Sequence, residues 1–501
     1  MAKQYKMFID GKWVSSTSGE TFSVLNPATE QAIARVAKGA KEDAKNAIDA
    51  ARKAADNGVW AGKTPAERAL ALYKLAELVE KNASFFARLE SINVGKTIKY
   101  STDSDLPFII DNLRFFAGAA RMLEGKASAE YSGMGTSIIR REPVGVVASI
   151  VPWNYPLYIA VWKIAPALAA GNAMVIKPAS YTPLTLLEFT KLVEQAGIPR
   201  GVFNVVTGAG EVIGKELASS KKVDMVSLTG DTETGKKIMA QASVNVKKVH
   251  LELGGKAPLI VLPDADVETV AQGAVIGGYW NTGQDCTAVT RVIIPERVYQ
   301  RVTKRMVEKA KKFRLGNPLD KKTDMGPLVS EKQRERVQGF IEKGVEEGAR
   351  VVAGGKRPKH LQKGFFLEPT ILKDAAQDMT VCREEIFGPV IAVYSYDKID
   401  DAIQQANDVD YGLAASVYGK DITACLRVAN RLNFGTVWVN EHGILASEMP
   451  HGGFKQSGFG KDLSLYSMEE YTRVKHVYVD LTGKAIRPWH YTVFRGKQTI
   501  D

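Results

Sequence analysis

Cysteine is scarce: Cys286, Cys382 and Cys425 are the only three in a chain of 501 residues. Three thiols cannot build a disulfide framework, which excludes the small stapled secreted folds and points to a reducing, cytoplasmic setting. The opening stretch MAKQYKMFIDGKW lacks the apolar centre of a leader, so no secretory signal is expected. Long hydrophobic runs are lacking too. Leu157 to Ile176 comes nearest, but it holds Lys163, Pro166, Gly171 and Asn172, whereas a membrane span needs about 20 mostly apolar residues. It reads as a buried helix followed by a buried strand, and no membrane contact is expected. No Lys/Arg run exceeds three, and no basic motif is interleaved with aromatics. The net charge of +11 is therefore not read as a nucleic-acid footprint; an anionic small molecule suits it as well. Repeats and low-complexity segments are missing. So is a GxGxxG fingerprint after the first parallel strand: Gly208-Ala209-Gly210 with Gly214 has the wrong spacing.

What is present is globular: 45% hydrophobic and 25% charged residues, with 44 Gly and 20 Pro. At about 150 residues per domain, the length suggests two to four domains. After a short β start, residues up to 125 are mostly helical. Ala44, Ala47, Ile48, Ala51, Ala54 and Ala55 keep helical spacing, and Thr64-Pro65-Ala66-Glu67 is a capping box opening the next helix. Residues 126–144 read as a strand or hairpin leaving the body. From 145 the texture changes to apolar strands alternating with helices: VGVVASIV, helix 157–170, AMVIK, helix 182–197, VFNVV, a helix from 210, MVSLT, a helix from 232, and VHLEL. Such a pattern specifies a parallel sheet covered on both faces, with a nucleotide beyond the strands' C-terminal ends. A second α/β series, with PLIVL, RVIIP, RVVAG, PVIAVYSY, ASVYG and TVWVN, runs from 256 to 440. The fold class is α/β. A Rossmann-like cofactor domain is assigned to 1–125 and 145–255, and a catalytic domain to 256–455. A small β oligomerisation arm and tail take 126–144 and 456–501. Alternating Val477, Val479 and Leu481 mark an exposed strand that invites pairing with another subunit.

Five places could carry chemistry. Cys286, in NTGQDCTA, follows a helix pattern ending at Asn281-Thr282-Gly283, so a turn presents it. An isolated cysteine is more often buried and inert, which is how Cys382 and Cys425 read. A nucleophilic cysteine needs a base and a stabiliser for the oxyanion. Glu252 ends an apolar strand before Gly254-Gly255, where a raised pKa would suit a general base; alone it could equally cap a turn. Asn154, bracketed by Pro152 and Pro156, is rigidly placed to donate to an oxyanion, or to cap a helix. Lys177 ends its strand where a ribose or phosphate would sit; the plain alternative is a solvated strand end. Gly230-Asp231 precedes a helix whose N-terminus could meet a pyrophosphate.

Together the motifs PWNYP, KPAS, LTGDTETG, LELGG, GQDC, EEIFGPV and PHGGFKQSGFG, in this order over residues 8–480, resemble the aldehyde dehydrogenase superfamily. The resemblance implies NAD(P)-dependent oxidation of an aldehyde to the acid, through a thiohemiacetal and a thioester on Cys286. Glu252 would be the general base. Asn154 and the Cys286 backbone N–H would form the oxyanion hole. Lys163 would join a proton relay in which the usual Glu partner is Asp462. Lys177 and Glu385 would grip the riboses and Gly230 the pyrophosphate. Trp153, Phe387, Ser180, Gly210, Asp231 and Leu253 complete the implied cofactor set. No metal is expected.

GQDCTA and SEMPHGGFKQSGFGKDLSLY are similar to the aminobutyraldehyde and betaine aldehyde dehydrogenases, which implies an amine-bearing substrate such as 4-aminobutyraldehyde. Asp105, Asp285 and Glu448 are the expected acids for the ammonium. Tyr155, Trp162 and Trp280 are the expected aromatic box, although His442 and Leu445 stand where bulkier aromatics are usual. Many NAD-preferring relatives carry an acid three residues after the Lys; here Ser180 stands there, so NADP is expected to be at least tolerated. A homodimer or homotetramer is expected. The competing readings are a broad aliphatic or hydroxy aldehyde dehydrogenase, a CoA-acylating enzyme, and a non-redox hydrolase pairing Cys286 with His451.

Overall fold

The computed structural model describes residues 3–493; residues 1–2 of the expected first domain and 494–501 of the expected tail lie outside them. Two sheets organise the chain. In the first, five strands lie parallel in the spatial order Lys248–Glu252, Met225–Thr229, Val146–Ile150, Ala173–Lys177, Phe203–Val205. The chain starts in the middle, winds to one side, then returns to the other. The switch point thus falls between Val146–Ile150 and Met225–Thr229, where a doubly wound sheet opens a crevice at its carboxyl edge. Register aligns that edge: Ile150 is opposite Lys177 and Thr229 is opposite Glu252.

These strands are buried along their length and rich in β-branched residues, as a sheet covered on both faces requires. The helix Pro156–Ala170 is buried almost all round, which is why its sequence imitates a membrane span. Among the described residues no helix is long and apolar enough to cross a membrane. The capping box forms: the Thr64 hydroxyl accepts the Glu67 N–H at 3.2 Å, and the Glu67 carboxylate accepts the Thr64 N–H at 2.8 Å.

The second sheet orders its strands Arg350–Ala353, Thr370–Lys373, Val390–Tyr396, Val289–Pro295, Ala257–Val261, Ala414–Tyr418, Thr436–Val439, with the first antiparallel at the edge. Only four residues separate its central strand Ala257–Val261 from Glu252 of the first sheet. The long strand Thr472–Asp480 pairs antiparallel with Gly135–Pro143, which pairs with Ser128–Ala129, to make a three-stranded arm. Residues 456–471 do not belong with that arm, contrary to the sequence-based boundary. Gly458–Phe459 adds an antiparallel edge to the first sheet, and Leu463, Met468 and Tyr471 are buried in its core. Their apolar positions are too few and irregular to show this in sequence.

Arg291 ties the second sheet to its surroundings. Fully buried in Val289–Pro295, it donates to the carbonyls of Lys256, Gln405 and Ala406 at 2.8–3.1 Å. Arg291→Leu strands three buried acceptors. At about 1–3 kcal/mol for each orphaned group, it is expected to lower stability by about 3 kcal/mol or more, read as a fall in the urea midpoint.

Candidate active site

Cys286 is reached by an unusual turn. The helix Val267–Tyr279 ends in a short 3-10 turn, Trp280–Gly283, in which Asn281, Thr282 and Gly283 have φ of 49°, 61° and 68°. Two of these are non-glycine residues held in the left-handed region, which costs energy unless the surroundings fix them. Side-chain amides do so. Asn281 Nδ2 donates to the carbonyls of Asn154 at 3.0 Å and Gln284 at 3.2 Å. Gln284 Oε1 accepts the Val329 N–H at 2.9 Å. Asn154 Nδ2 donates to the Gln284 carbonyl at 3.0 Å, which leaves one of its two N–H groups for another acceptor. Cys286 emerges half-buried, whereas Cys382 and Cys425 are fully buried. Burial pushes its thiol well up, and the charges of Asp285, Glu252 and Glu385 add to this.

The two glycines after Glu252 fit the site together. A Cβ on Gly255 would stand 2.2 Å from the Cys286 carbonyl oxygen, and one on Gly254 would stand 2.4 Å from Glu385 Oε2. Gly255 admits no side chain, and one at Gly254 would have to push the Glu385 carboxylate aside. Glu252 is buried, and burial followed by repulsion from Asp462 raises its carboxyl well above the usual range. His451 Nε2 lies 3.7 Å from its Oε2; burial pushes that imidazole down to about 4, so it is neutral. Lys163 Nζ donates to Asp462 Oδ2 at 2.7 Å in complete burial.

Several residues expected to meet a cofactor sit along the carboxyl edge. Lys177 is buried, donates to the Pro178 carbonyl at 2.9 Å, and is pushed down to about 8 by burial. An ammonium so placed has N–H groups left for ligand hydroxyls. Glu385 accepts the Gly255 N–H at 2.9 Å, and burial lifts it to about 7. Phe387 and Trp153 meet edge to face at 5.1 Å. Ser180 Oγ donates to the Gly208 carbonyl at 3.1 Å. Asp231 caps the helix Thr232–Ala242, accepting the Thr234 N–H at 2.9 Å, and a cavity of about 300 Å³ runs from Asp231 and Thr232 to Glu385 and Tyr411. Gly230 precedes that cap, and the Leu253 N–H is bonded to Ser457. Gly210 opens a short wide helical turn, Gly210–Gly214. A helix N-terminus, an underbonded buried ammonium and a carboxylate fitted over glycines suit a dinucleotide's pyrophosphate and riboses.

The expected substrate residues fare unequally. Asp285 is central: its Oδ1 accepts the Thr287 N–H and hydroxyl, both at 2.7 Å, and its Oδ2 accepts the Tyr155 hydroxyl at 2.5 Å. Asp105 does not line an open tunnel. It is sealed in the core and ion-paired with Lys96, which also lies 3.2 Å from Glu90. The ammonium of Lys96 lies 4.5 Å from the Tyr155 ring centroid, so part of the expected box already holds a cation. Trp280 does not close over Cys286. It is 42% exposed and donates to the Tyr100 hydroxyl. It lines a cavity of about 690 Å³ with Tyr100, Ile276 and Phe313 that does not include Cys286. Trp162 meets Tyr158 at 5.2 Å and His451 at 5.4 Å. Glu448 is exposed on the segment after Thr436–Val439, beside Ser447, which donates to Asp111. Tyr100, Tyr158 and Lys96 escaped the sequence reading; Tyr158, three residues beyond Tyr155, could have been found from helical spacing, whereas Tyr100 and Lys96 reach Tyr155 only through the fold.

Comparison with known proteins follows this geometry. The model of the aldehyde dehydrogenase family matches residues 13–477. Betaine aldehyde dehydrogenase of Bacillus subtilis is 46% identical over 482 residues, covering 96% of this chain and 98% of that protein. Human aldehyde dehydrogenase 1A1 is 42% identical over 481 residues, covering 96% and 95%. Among solved structures, the NAD+ complex of an aldehyde dehydrogenase from Bacillus cereus superposes with a TM-score of 0.94 at 44% identity, covering 96% of this chain and 97% of that one. Betaine aldehyde dehydrogenase from Staphylococcus aureus with NAD+ gives 0.95 at 40% identity, covering 97% and 96%. The chain belongs to the aldehyde dehydrogenase family and is an oxidoreductase, which sets aside the hydrolase reading.

Gly254→Ala is expected to displace the Glu385 carboxylate and weaken dinucleotide binding about tenfold, or ~1.4 kcal/mol, measured by fluorescence titration, with Gly230→Ala as a milder control because a Cβ there meets only Leu228 side-chain atoms, at 3.3 Å and beyond.

Proposed function

We propose that this chain oxidises an aldehyde bearing an amine, such as 4-aminobutyraldehyde, to the carboxylic acid, with NAD or NADP as hydride acceptor. The reading is supported above all by Cys286 on its rigid turn, with the Asn154 amide on one side and a buried, proton-seeking Glu252 nearby. The raised thiol is protonated at rest, so attack requires transfer of its proton to a base, the role proposed for Glu252. The sulfur then adds to the carbonyl carbon, the C=O pair moves to oxygen, and the Asn154 N–H and the Cys286 backbone N–H hold that charge. Lys177 and Glu385 would hold the riboses of a bound dinucleotide, whose nicotinamide would supply the hydride acceptor; loss of that hydride from the carbon leaves a thioester on Cys286. Once its first proton has passed to solvent, Glu252 draws a proton from water, the water oxygen adds to the thioester carbon, and the C–S bond breaks to give the carboxylic acid and the Cys286 thiolate. Sulfur suits both halves: it is a strong nucleophile and a good leaving group.

The amine is supported by charge. Asp285 stands next to Cys286, while Glu90 and Asp105 together outnumber Lys96. The surroundings of Tyr155 therefore carry excess negative charge, which favours an ammonium over a neutral or anionic tail. Ser180 puts no carboxylate against a 2′-phosphate, so NADP is accepted. The exposed Val474, Val479 and Leu481 of the arm support a homodimer or homotetramer joined through it, and the scarcity of cysteine supports a cytoplasmic setting.

Glu252→Gln is expected to retain a burst of reduced cofactor but lose steady turnover by about 10²-fold or more. Asp285→Asn should lower kcat/KM for 4-aminobutyraldehyde about tenfold, ~1.4 kcal/mol, and leave butyraldehyde unchanged; equal losses on both would overturn the amine reading. Lack of any NADP turnover would overturn the cofactor reading. Because burial lifts Glu385 to about 7, its ribose-binding ionised form is lost as pH falls through that value. Cofactor KM should therefore rise below pH 7, and Glu385→Gln should flatten the profile.

A further inference from the structure

Among the described residues, Glu252 Oε1, Asp462 Oδ1 and His250 Nε2 are buried without hydrogen-bond partners, as is Nδ1 of His451, whose neutral ring lies 3.7 Å from the other oxygen of Glu252. One ligand atom of each of Glu252, Asp462 and His250 lies within 4.8 Å of the other two, and His250 Nε2 is 3.9 Å from Asp462 Oδ1. That distance is too long for a direct bond. All three side chains are sealed from solvent, where dry, unpaired polar groups are costly. The imidazole is oriented from behind. His250 Nδ1 is 3.0 Å from Ser227 Oγ, and the Tyr471 hydroxyl donates to Ser227 Oγ at 3.3 Å. Ser227 receives from Tyr471, so its own hydrogen goes to Nδ1. The ring proton is thereby left on Nε2, directed at Asp462. Lys163 holds the other oxygen of Asp462.

We propose that His250, Asp462 and Glu252 build a site for one ordered water, and that His250 is the positioning residue that turns this water toward Glu252 and so sets the proton affinity of the base. The water accepts the His250 N–H and donates to Asp462 Oδ1 and Glu252 Oε1, the three bonds a buried water commonly makes. A hydrogen bond donated to Glu252 favours its ionised form and opposes the effect of burial. A metal ion fits poorly, because the Lys163 ammonium already stands 2.7 Å from Asp462 and would repel it. The charged groups facing the cluster are Lys163 from Pro156–Ala170, Lys248 on the same strand as His250, and Lys461 and Glu470 from the C-terminal segment. Burial, with repulsion from the three lysines, keeps the His250 ring neutral. The inference rests on reading Glu252 as the hydrolytic base.

The test compares His250→Leu, His250→Gln, Ser227→Ala and Glu252→Gln by stopped-flow burst and steady-state turnover across pH. His250→Leu removes the donor at similar volume, and His250→Gln returns an N–H. His250→Leu is expected to keep the burst within about twofold and slow steady turnover about tenfold. The acid limb of hydrolysis should move up by about one pH unit, and His250→Gln should restore most of both. Ser227→Ala should shift the limb less in the same direction, and it serves if His250→Leu does not fold. An unmoved limb in the folded variants overturns the proposal. So does equal damage from Leu and Gln, or one equivalent of metal whose chelation stops hydrolysis. Unchanged turnover in Glu252→Gln would sink the base assignment, whereas lost hydrolysis there with silent His250 and Ser227 variants would sink the water site alone.

Discussion

The carbonyl of Cys286 lies against the α-carbon of Gly255, so close that any side chain there would overlap it. This one backbone contact joins the strand end carrying Glu252 to the turn carrying the thiol. It is also where the chain passes from the first sheet to the second, because Gly255 lies between the strands Lys248–Glu252 and Ala257–Val261. The turn can approach this closely because it runs left-handed through Asn281, Thr282 and Gly283. Non-glycine residues held there cost of order 1–3 kcal/mol each, and the amides of Asn154, Asn281 and Gln284 return part of that in buried hydrogen bonds. The same Asn154 that braces the turn is the proposed oxyanion donor. Rigidity and the proposed oxyanion site therefore come from one side chain, which itself follows the first strand of the doubly wound sheet.

Much of the layout was legible in the chain itself because it depends on local periodicity. Alternating apolar strands and helices announced both parallel sheets, and the capping box at Thr64 formed as read. Pairings between distant segments were not legible. Nothing near residue 458 announces an added edge strand, because two residues carry no period. Asp105 looked available because a helix pattern cannot reveal that Lys96 folds back against it. Trp280 looked like a wall of the substrate site because it is six residues before Cys286, yet the left-handed turn between them sends it toward Tyr100. Glu448 illustrates the same limit: expected among the acids for the ammonium, it stands exposed. The residues grouped by the recurrent motifs, Asn154, Glu252, Cys286, Lys177 and Glu385, lie at strand ends or on turns, where position along the chain nearly determines position in space.

The buried charges repeat a single arrangement twice. Glu90, Lys96 and Asp105 place two carboxylates around one ammonium. Glu252, Asp462 and Lys163 do so again, with Lys163 bonded to Asp462 and Glu252 held apart. In either cluster full ionisation leaves one uncompensated negative charge in a poorly polarisable interior, and binding a proton is the cheapest remedy. Burial accordingly lifts Asp105 to about 6, and it lifts Glu252 as well. A displaced titration therefore does not by itself separate a reacting group from a structural one. What separates them is surroundings. Asp105 has Lys96 bonded to it and neighbours Tyr155 only through that lysine, so its charge acts at a distance, as part of the field around Asp285. Glu252 keeps an oxygen without a partner, stands close enough for its charge to be felt by the Cys286 thiol, and meets no ammonium that would fix its proton elsewhere. The proposed selection of a cationic substrate and the proposed proton transfer thus draw on the same electrostatic imbalance, and the difference between the clusters lies in which carboxylate the lysine is bonded to.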